Sequence, residues 1–347
     1  MLGVGIVGIG FMGMTHFRAY KKVRGARVVA ICTRNPRKLA GDWSMIRGNF
    51  GEPGRKNEDL SGVNKYTEFR EMLRDPAVDV VDICTTSHLH GQMAIQALKA
   101  GKHVIVEKPI ALDLNEARRM VRTAEAVGRK LLVAQVLPYI PEFAFVLEAV
   151  RKNRYGRLLA GHFRRVICRP DWSADIADPE KTGGPVVDLH IHDNHFIVLA
   201  CGVPTAVCST GTIEGDVVTH VETVYRYGDG GPALSATSGF LAQQAREFSS
   251  GFELYFEKAS IFYDGPPIDG AGIPLTVVTG KRTQRPKLRA SGPEDWFAGE
   301  LSQAVRVITK GADPGPLDPR AACVALEMSL KEQASVRSGR PVSIRGV

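Results

Sequence analysis

No two cysteines stand at the short spacing of a redox or zinc motif. The six, Cys32, Cys84, Cys168, Cys201, Cys208 and Cys323, are scattered and lie mostly inside apolar runs. They read as buried thiols of a reducing compartment, so a cytoplasmic protein is expected. The HExxH array of a zinc hydrolase is also missing. Histidines and aspartates crowd the stretch from Asp188 to His195, but His190 would point away from His192 and His195 on a helix, and no metal is expected. A membrane span is lacking as well: the apolar N-terminus MLGVGIVGIGFMG is broken by glycines, has no basic leader, and meets Lys21, Lys22 and Arg24 after one helix. It reads as strand and turn, neither signal peptide nor span. The net charge of +8 raises the question of nucleic acid, yet the densest basic run, Lys281 to Arg289, has no interleaved aromatic residue and no recognisable module around it. It reads as a solvated loop, and no nucleic-acid partner is expected. Such a surface still attracts anionic cofactors and substrates.

What the chain does have is length and composition for two domains: 347 residues, 44% hydrophobic and 24% charged. A buried strand over Leu2 to Ile9 runs into the turn Gly8-Ile-Gly10-Phe11-Met12-Gly13, with helical character from Met14 onward. Strand, glycine turn and helix together are what a pyrophosphate site needs: a tight turn, close backbone approach, and amide N–H groups at a helix N-terminus. The second strand, Ala26 to Cys32, ends in Thr33-Arg34 where an NAD site would place an acid. Nothing there repels a 2'-phosphate and a guanidinium is present to grip it, so NADP(H) is the expected cofactor, with NAD(H) still usable. Residues 41–64 are rich in Gly, Asn and Pro, and read as a surface excursion near the adenosine end. The acid-bounded strand from Asp79 to Cys84 leads into Thr85-Thr-Ser-His-Leu-His90, a polar run placed to hydrogen-bond ribose or nicotinamide.

The next strand, His103 to Val106, stops at Glu107-Lys108-Pro109. Open α/β sheets bind ligands beyond the carboxyl ends of their strands, so Glu107 and Lys108 stand where a ligand is expected. Asp113 then caps a helix that closes near Gly128, and a sixth strand follows at Lys130 to Gln135. Residues 1–127 with that strand form a doubly wound parallel sheet, and the rest, 128–347, a second domain. Runs such as Arg157 to Cys168 and Val217 to Tyr227 alternate as strands covered on one face, which predicts an α+β domain with an open, mostly antiparallel sheet. Two helices end the chain, Pro293 to about Lys310 and one opened by Asp318-Pro319. The exposed sheet face is expected to pair with another subunit, giving a homodimer or homotetramer. In the stretch GGPVVDLHIHDNH (183–195), a helix from Asp188 to Ala200 would set Asp188 and His192 one turn apart, a carboxylate orienting an acid/base imidazole.

With these stretches in view, the chain resembles the glucose-fructose oxidoreductase / inositol dehydrogenase / MocA (Gfo/Idh/MocA) family of NAD(P)-dependent oxidoreductases over nearly its whole length. The marks are GIGFMG at 8–13, AGKHVIVEKP at 100–109 and GGPVVDLHIH at 183–192, in the family's order. The resemblance implies that Lys108, Asp188 and His192 form the catalytic set, that Glu107 frames the nicotinamide ribose, that the Lys108–Pro109 bond is cis, and that His90 is the family's histidine after the fourth strand. Thr86, Pro138 and His195 depart from the pattern, and the last two, expected to line the substrate cleft, leave substrate identity open. Expected, then, is a dehydrogenase or reductase of a sugar, sugar acid or polyol, with Tyr139, Arg169, Trp172, Lys181 and His195 as candidate substrate residues. The rival readings are a glycoside-cleaving or epimerising enzyme that recycles its NAD, and a non-catalytic NADP-binding regulator.

Overall fold

The computed structural model describes residues 1–170, 178–244, 248–265 and 273–346. Trp172 lies outside them. Two compact units emerge: residues 1–139 with 291–322, and residues 140–290 with 323–347. The chain passes to the second unit after Tyr139, beyond the sixth strand, and rejoins the first over residues 291–322.

In the first unit six strands, β1 (Leu2–Val7), β2 (Ala26–Cys32), β3 (Asn64–Tyr66), β4 (Val80–Ile83), β5 (His103–Val106) and β6 (Leu131–Val133), form one sheet in the order β3-β2-β1-β4-β5-β6. Every neighbouring pair is parallel. This is the doubly wound order, with its switch between β1 and β4. Both faces are covered, which is why β4 and β5 are buried almost throughout: Val81, Ile83, Val104 and Val106 are inaccessible. Each such side chain contributes about 1.5–3 kcal/mol through burial. The helix Phe11–Tyr20 follows β1, and the returning helix Pro293–Lys310 lays Phe297, Leu301, Ala304 and Val305 into the same core as Met14, Phe17 and Tyr20. The two aspartate caps anticipated from sequence are present: Asp113 Oδ1 accepts the Glu116 N–H at 2.8 Å, and Asp318 Oδ1 accepts the Arg320 N–H at 2.8 Å.

The second unit is built on nine strands, β7 (Leu158–Cys168), β8 (Ala206–Glu214), β9 (Val217–Arg226), β10 (Ala233–Leu241), β11 (Ser249–Phe256), β12 (Ser260–Gly265), β13 (Ile273–Thr279), β14 (Arg282–Gln284) and β15 (Val342–Ser343). Their order is β14-β13-β12-β11-β7-β10-β9-β8-β15. All pairings are antiparallel except β10 with β7. Strand β9 shows the alternation plainly: Val221, Thr223 and Tyr225 are buried while Glu222, Val224 and Arg226 are exposed. One face is therefore closed by helices, among them Ile191–Cys201 and Pro319–Ser338, and the other is open.

Candidate active site

The glycine turn is shaped by contacts that a side chain would destroy. Gly8 sits at φ +90°, and a Cβ on it would lie 2.7 Å from the Cys84 carbonyl oxygen; on Gly13 it would lie 2.0 Å from the Gly8 oxygen. Gly10, the cap of the Phe11–Tyr20 helix, differs: a Cβ there would meet nothing within 4 Å. Bare backbone facing open space at a helix N-terminus, with no acid in the first turn, is a cradle for an anionic pyrophosphate. The residues present fit a dinucleotide. Phe11 and Met12 flank the turn, half-buried, with the Phe11 ring 4.6 Å from that of Phe50 in the surface excursion.

The other cofactor candidates of this unit stand at the carboxyl ends of adjacent strands. Thr33 and Arg34 follow β2; Arg34 is exposed, and the Thr33 hydroxyl accepts the Asn35 N–H at 3.3 Å. Thr85 follows β4 and is half-buried. Glu107, Lys108 and Pro109 follow β5, with the Lys108–Pro109 bond cis as the resemblance implies. His90 differs from expectation. It is buried, with Nδ1 2.8 Å from the Pro109 carbonyl oxygen and Nε2 3.1 Å from that of Thr85, so it braces the turn from inside and has no surface to offer a cofactor. Burial pushes its pKa down. Tyr139 also points inward: its hydroxyl is buried, and burial together with Glu300 pushes its pKa up.

Beneath the turn lies a cluster that sequence reasoning did not single out. His16, on the Phe11–Tyr20 helix and fully buried, has Nδ1 2.9 Å from Asp82 Oδ2 and Nε2 3.0 Å from Glu107 Oε1. Glu107 Oε2 in turn accepts the Lys108 N–H at 3.1 Å. The signal was in the sequence: a carboxylate in the middle of the apolar strand Val80–Ile83 has to find a buried partner. Among the described residues, His16, Asp82 and Cys84 are the group whose ligand-type atoms lie within 4.8 Å of one another. The 2.9 Å contact is that of a hydrogen bond, and burial pushes the Cys84 thiol far up, so the trio reads as a hydrogen-bonded network in which Cys84 keeps its proton.

In the second unit, Asp188 and His192 stand out by exposure. From Gly184 to Ile197 every residue is buried except these two, which are half-buried. The expected unbroken helix is interrupted between them. Pro185–Asp188 forms one turn, the His190 N–H reaches back to the Pro185 oxygen at 3.0 Å, and the His192 N–H bonds the Leu189 oxygen at 3.4 Å before Ile191–Cys201 continues. The Gly183-Gly184-Pro185 entry opens the first turn: both glycines have positive φ, at 81° and 74°, and Pro185 is the first helical residue. His195 is fully buried, which removes it from the substrate candidates. Lys181 pairs with Asp178 at 3.6 Å, and Arg169 pairs with Glu214. Arg169 also lines a cavity of about 140 Å³ with Thr182, Gly184 and Pro185, next to the turn that carries Asp188.

The buried polar atoms behind this segment form a second network. Arg165 on β7 grips Asp193 with two bonds, Nε to Oδ2 at 2.8 Å and Nη2 to Oδ1 at 3.0 Å. His190 Nε2 lies 3.1 Å from the Tyr225 hydroxyl and 3.4 Å from Glu332 Oε1. Asn194 donates to Ser329 Oγ and Glu332 Oε2 at 3.0 and 2.8 Å.

Sheet order, glycine cradle and strand-end charges define a dinucleotide-binding Rossmann protein with an α+β domain attached. The chain belongs to the Gfo/Idh/MocA oxidoreductase family: residues 2–135 match its NAD-binding Rossmann fold and residues 143–262 its C-terminal domain. It is 31% identical over 162 residues to the 1,5-anhydro-D-fructose reductase of Ensifer adhaerens, covering 45% of this chain and 48% of that one. To the levoglucosan dehydrogenase of Pseudarthrobacter phenanthrenivorans it is 30% identical over 235 residues, covering 65% of this chain and 50% of that one. The chain thus spans about half the length of these curated relatives. A solved NAD binding oxidoreductase from Klebsiella pneumoniae has the same fold, with a TM-score of 0.83 over 100% of this chain and 99% of that one at 21% identity. No helix among the described residues is long and apolar enough to cross a membrane.

Proposed function

We propose that the protein is an NADP(H)-linked oxidoreductase acting on a secondary alcohol or ketone of a sugar, sugar acid or polyol, in the cytoplasm. The observation that carries this reading is the Glu107-Lys108-Pro109 turn at the end of β5, braced from inside by His16 and His90. A lysine at a strand end of a dinucleotide-binding sheet supports a reading of hydride-transfer chemistry. The names of the two curated relatives, a 1,5-anhydro-D-fructose reductase and a levoglucosan dehydrogenase, support the substrate class. The dinucleotide, when bound, supplies the hydride acceptor or donor. In the oxidative direction His192, oriented by Asp188, removes the hydroxyl proton, and Lys108 hydrogen-bonds the same oxygen and stabilises its developing charge. In reduction the same groups return the proton.

NADP preference rests on Arg34, exposed at the end of β2 with no acid in the two positions after the strand. A screen of polyols, aldoses and ketoses, following absorbance of the reduced nicotinamide, is expected to find a substrate turned over with net change in cofactor. Turnover without net change would instead favour an enzyme that recycles its cofactor. With that substrate, kcat/KM should favour NADPH over NADH, and Arg34→Ala should reduce the preference by about tenfold, the worth of one lost charge-assisted contact. A tenfold preference for NADH in the unaltered protein would overturn the cofactor assignment.

The open face of the nine-stranded sheet supports self-association. It carries exposed Val224 and Tyr255 among polar neighbours, with His162 Nδ1 2.8 Å from Ser235 Oγ at its centre. A homodimer or homotetramer is expected in sedimentation at micromolar concentration, and Val224→Lys should shift it toward monomer. A monomeric parent protein would rule out pairing through this sheet.

A further inference from the structure

We propose that His16 is a positioning residue of the cofactor end: as an imidazolium held between Asp82 and Glu107 it fixes the Glu107 carboxylate against the Lys108 N–H and compensates its charge. The geometry makes the argument. A carboxylate oxygen faces each ring nitrogen: Nδ1 hydrogen-bonds Asp82 Oδ2 at 2.9 Å, and Nε2 lies at ion-pair distance, 3.0 Å, from Glu107 Oε1 without a formed hydrogen bond, a placement that suits a ring carrying both protons. Asp82 is inaccessible and Glu107 is buried, so neither charge is screened by water, and each needs the ring.

Four elements contribute the surrounding groups. Asp82 and Cys84 come from β4 and its end, Glu107 from the end of β5, Tyr20 from the ring's own helix, and Glu300 with the Phe297 ring from helix Pro293–Lys310. Burial by itself works against a charged ring, but Asp82 outweighs it with help from Cys84, and the His16 pKa lies well above its ordinary value. Burial, with Glu107 nearby, pushes Glu300 up to about 8, so it stays largely protonated and adds little charge at neutral pH. The cluster thus sets one imidazole between two carboxyl groups. Glu107 is thereby fixed in orientation at the strand end, between the ring and the Lys108 N–H.

This inference rests on the reading that Glu107 and Lys108 face the dinucleotide. In His16→Gln the amide can still donate to Glu107 but carries no charge, so the compensation of the carboxylate is lost. Fluorescence titration with NADPH and NADP⁺ between pH 5.5 and 8.5 is expected to show binding weakened by about tenfold or more, with a pH dependence the parent protein lacks. In His16→Gln/Asp82→Asn the two amides can hydrogen-bond each other and leave an N–H for Glu107, and much of the affinity should return. A merely structural His16 would lower thermal stability without moving the pH profile of binding, and that result would overturn the proposal. So would neutral His16 at pH 7, read in the unaltered protein from nitrogen shifts of the imidazole rings, a measurement that needs no variant to fold. Glu107→Gln separates the two readings. Unchanged cofactor affinity in that variant removes Glu107 from the cofactor site, whereas altered affinity there beside unaltered affinity and profile in His16→Gln removes only the role of His16.

Discussion

Alanine at His192, or at Lys108, is expected to lower turnover by about two to four orders of magnitude while NADPH affinity stays within a few-fold. The two substitutions remove different things. His192→Ala deletes the group that carries the proton, and a small base added to the assay has room to restore part of the rate. Lys108→Ala deletes the donor that stabilises charge on the substrate oxygen, which no diffusing base replaces. Asp188→Asn should fall between, since it leaves the imidazole in place but weakens its orientation, an effect read in kcat more than in KM. Both main positions are half-buried, so neither truncation opens a large core cavity, and loss of activity with retained thermal stability is the expected pairing. Turnover unchanged in either alanine variant, with the variant folded and binding NADPH, would remove that residue from the proposed mechanism.

The parts of this architecture that were legible in the sequence are those set by local chemistry. Apolar runs ending in glycine or charge gave β1, β2, β4 and β5, and the caps Asp113 and Asp318-Pro319 gave two helix starts. The cis bond at Lys108–Pro109 came through resemblance, since spacing cannot reveal it. What was not legible depends on pairing at long range. The helix Pro293–Lys310 returns to the first unit because Phe297, Leu301 and Ala304 complete the core around Met14 and Phe17, and nothing in its own periodicity names that partner. His16 resembles any polar residue of an amphipathic helix until β4 and β5 bring Asp82 and Glu107 to its two nitrogens. Tyr139 and His195 were candidate substrate residues under the resemblance; the Tyr139 hydroxyl and the whole of His195 are turned inward in the fold. The break between Asp188 and His192 was hidden by a period of helical type over these residues.

The largest stability effect is expected at Asp193. Its side chain and that of Arg165 are about 1% and 3% exposed, the pair is bidentate, and Asp193 also lies 3.8 Å from His190 Nδ1. Removing one partner of such a pair leaves an uncompensated buried charge, which costs about 3–5 kcal/mol. Asp193→Ala should therefore lower the unfolding midpoint in urea sharply, and a loss below about 1 kcal/mol would show that water or a rearranged neighbour takes over the Arg165 guanidinium. The same network predicts a dependence on pH. For His190 burial alone would lower the pKa, but Glu332 and Asp193 together push it up to about 9. The folded protein then binds a proton that the unfolded chain gives up near pH 6.5, so stability from this group is complete below about 6.5 and is lost as pH rises through about 9. Asp193 works in the opposite sense: burial opposes its charge, Arg165 and His190 more than offset this, and its pKa is lowered. Its contribution is present above the ordinary carboxylate range and is lost as pH falls through the lowered value. His190→Leu should flatten the alkaline limb between pH 6.5 and 9 while leaving the acid limb in place. Because His190, Asp193 and Asn194 lie within the segment that carries Asp188 and His192, the same network that sets stability fixes the backbone of the proposed catalytic pair.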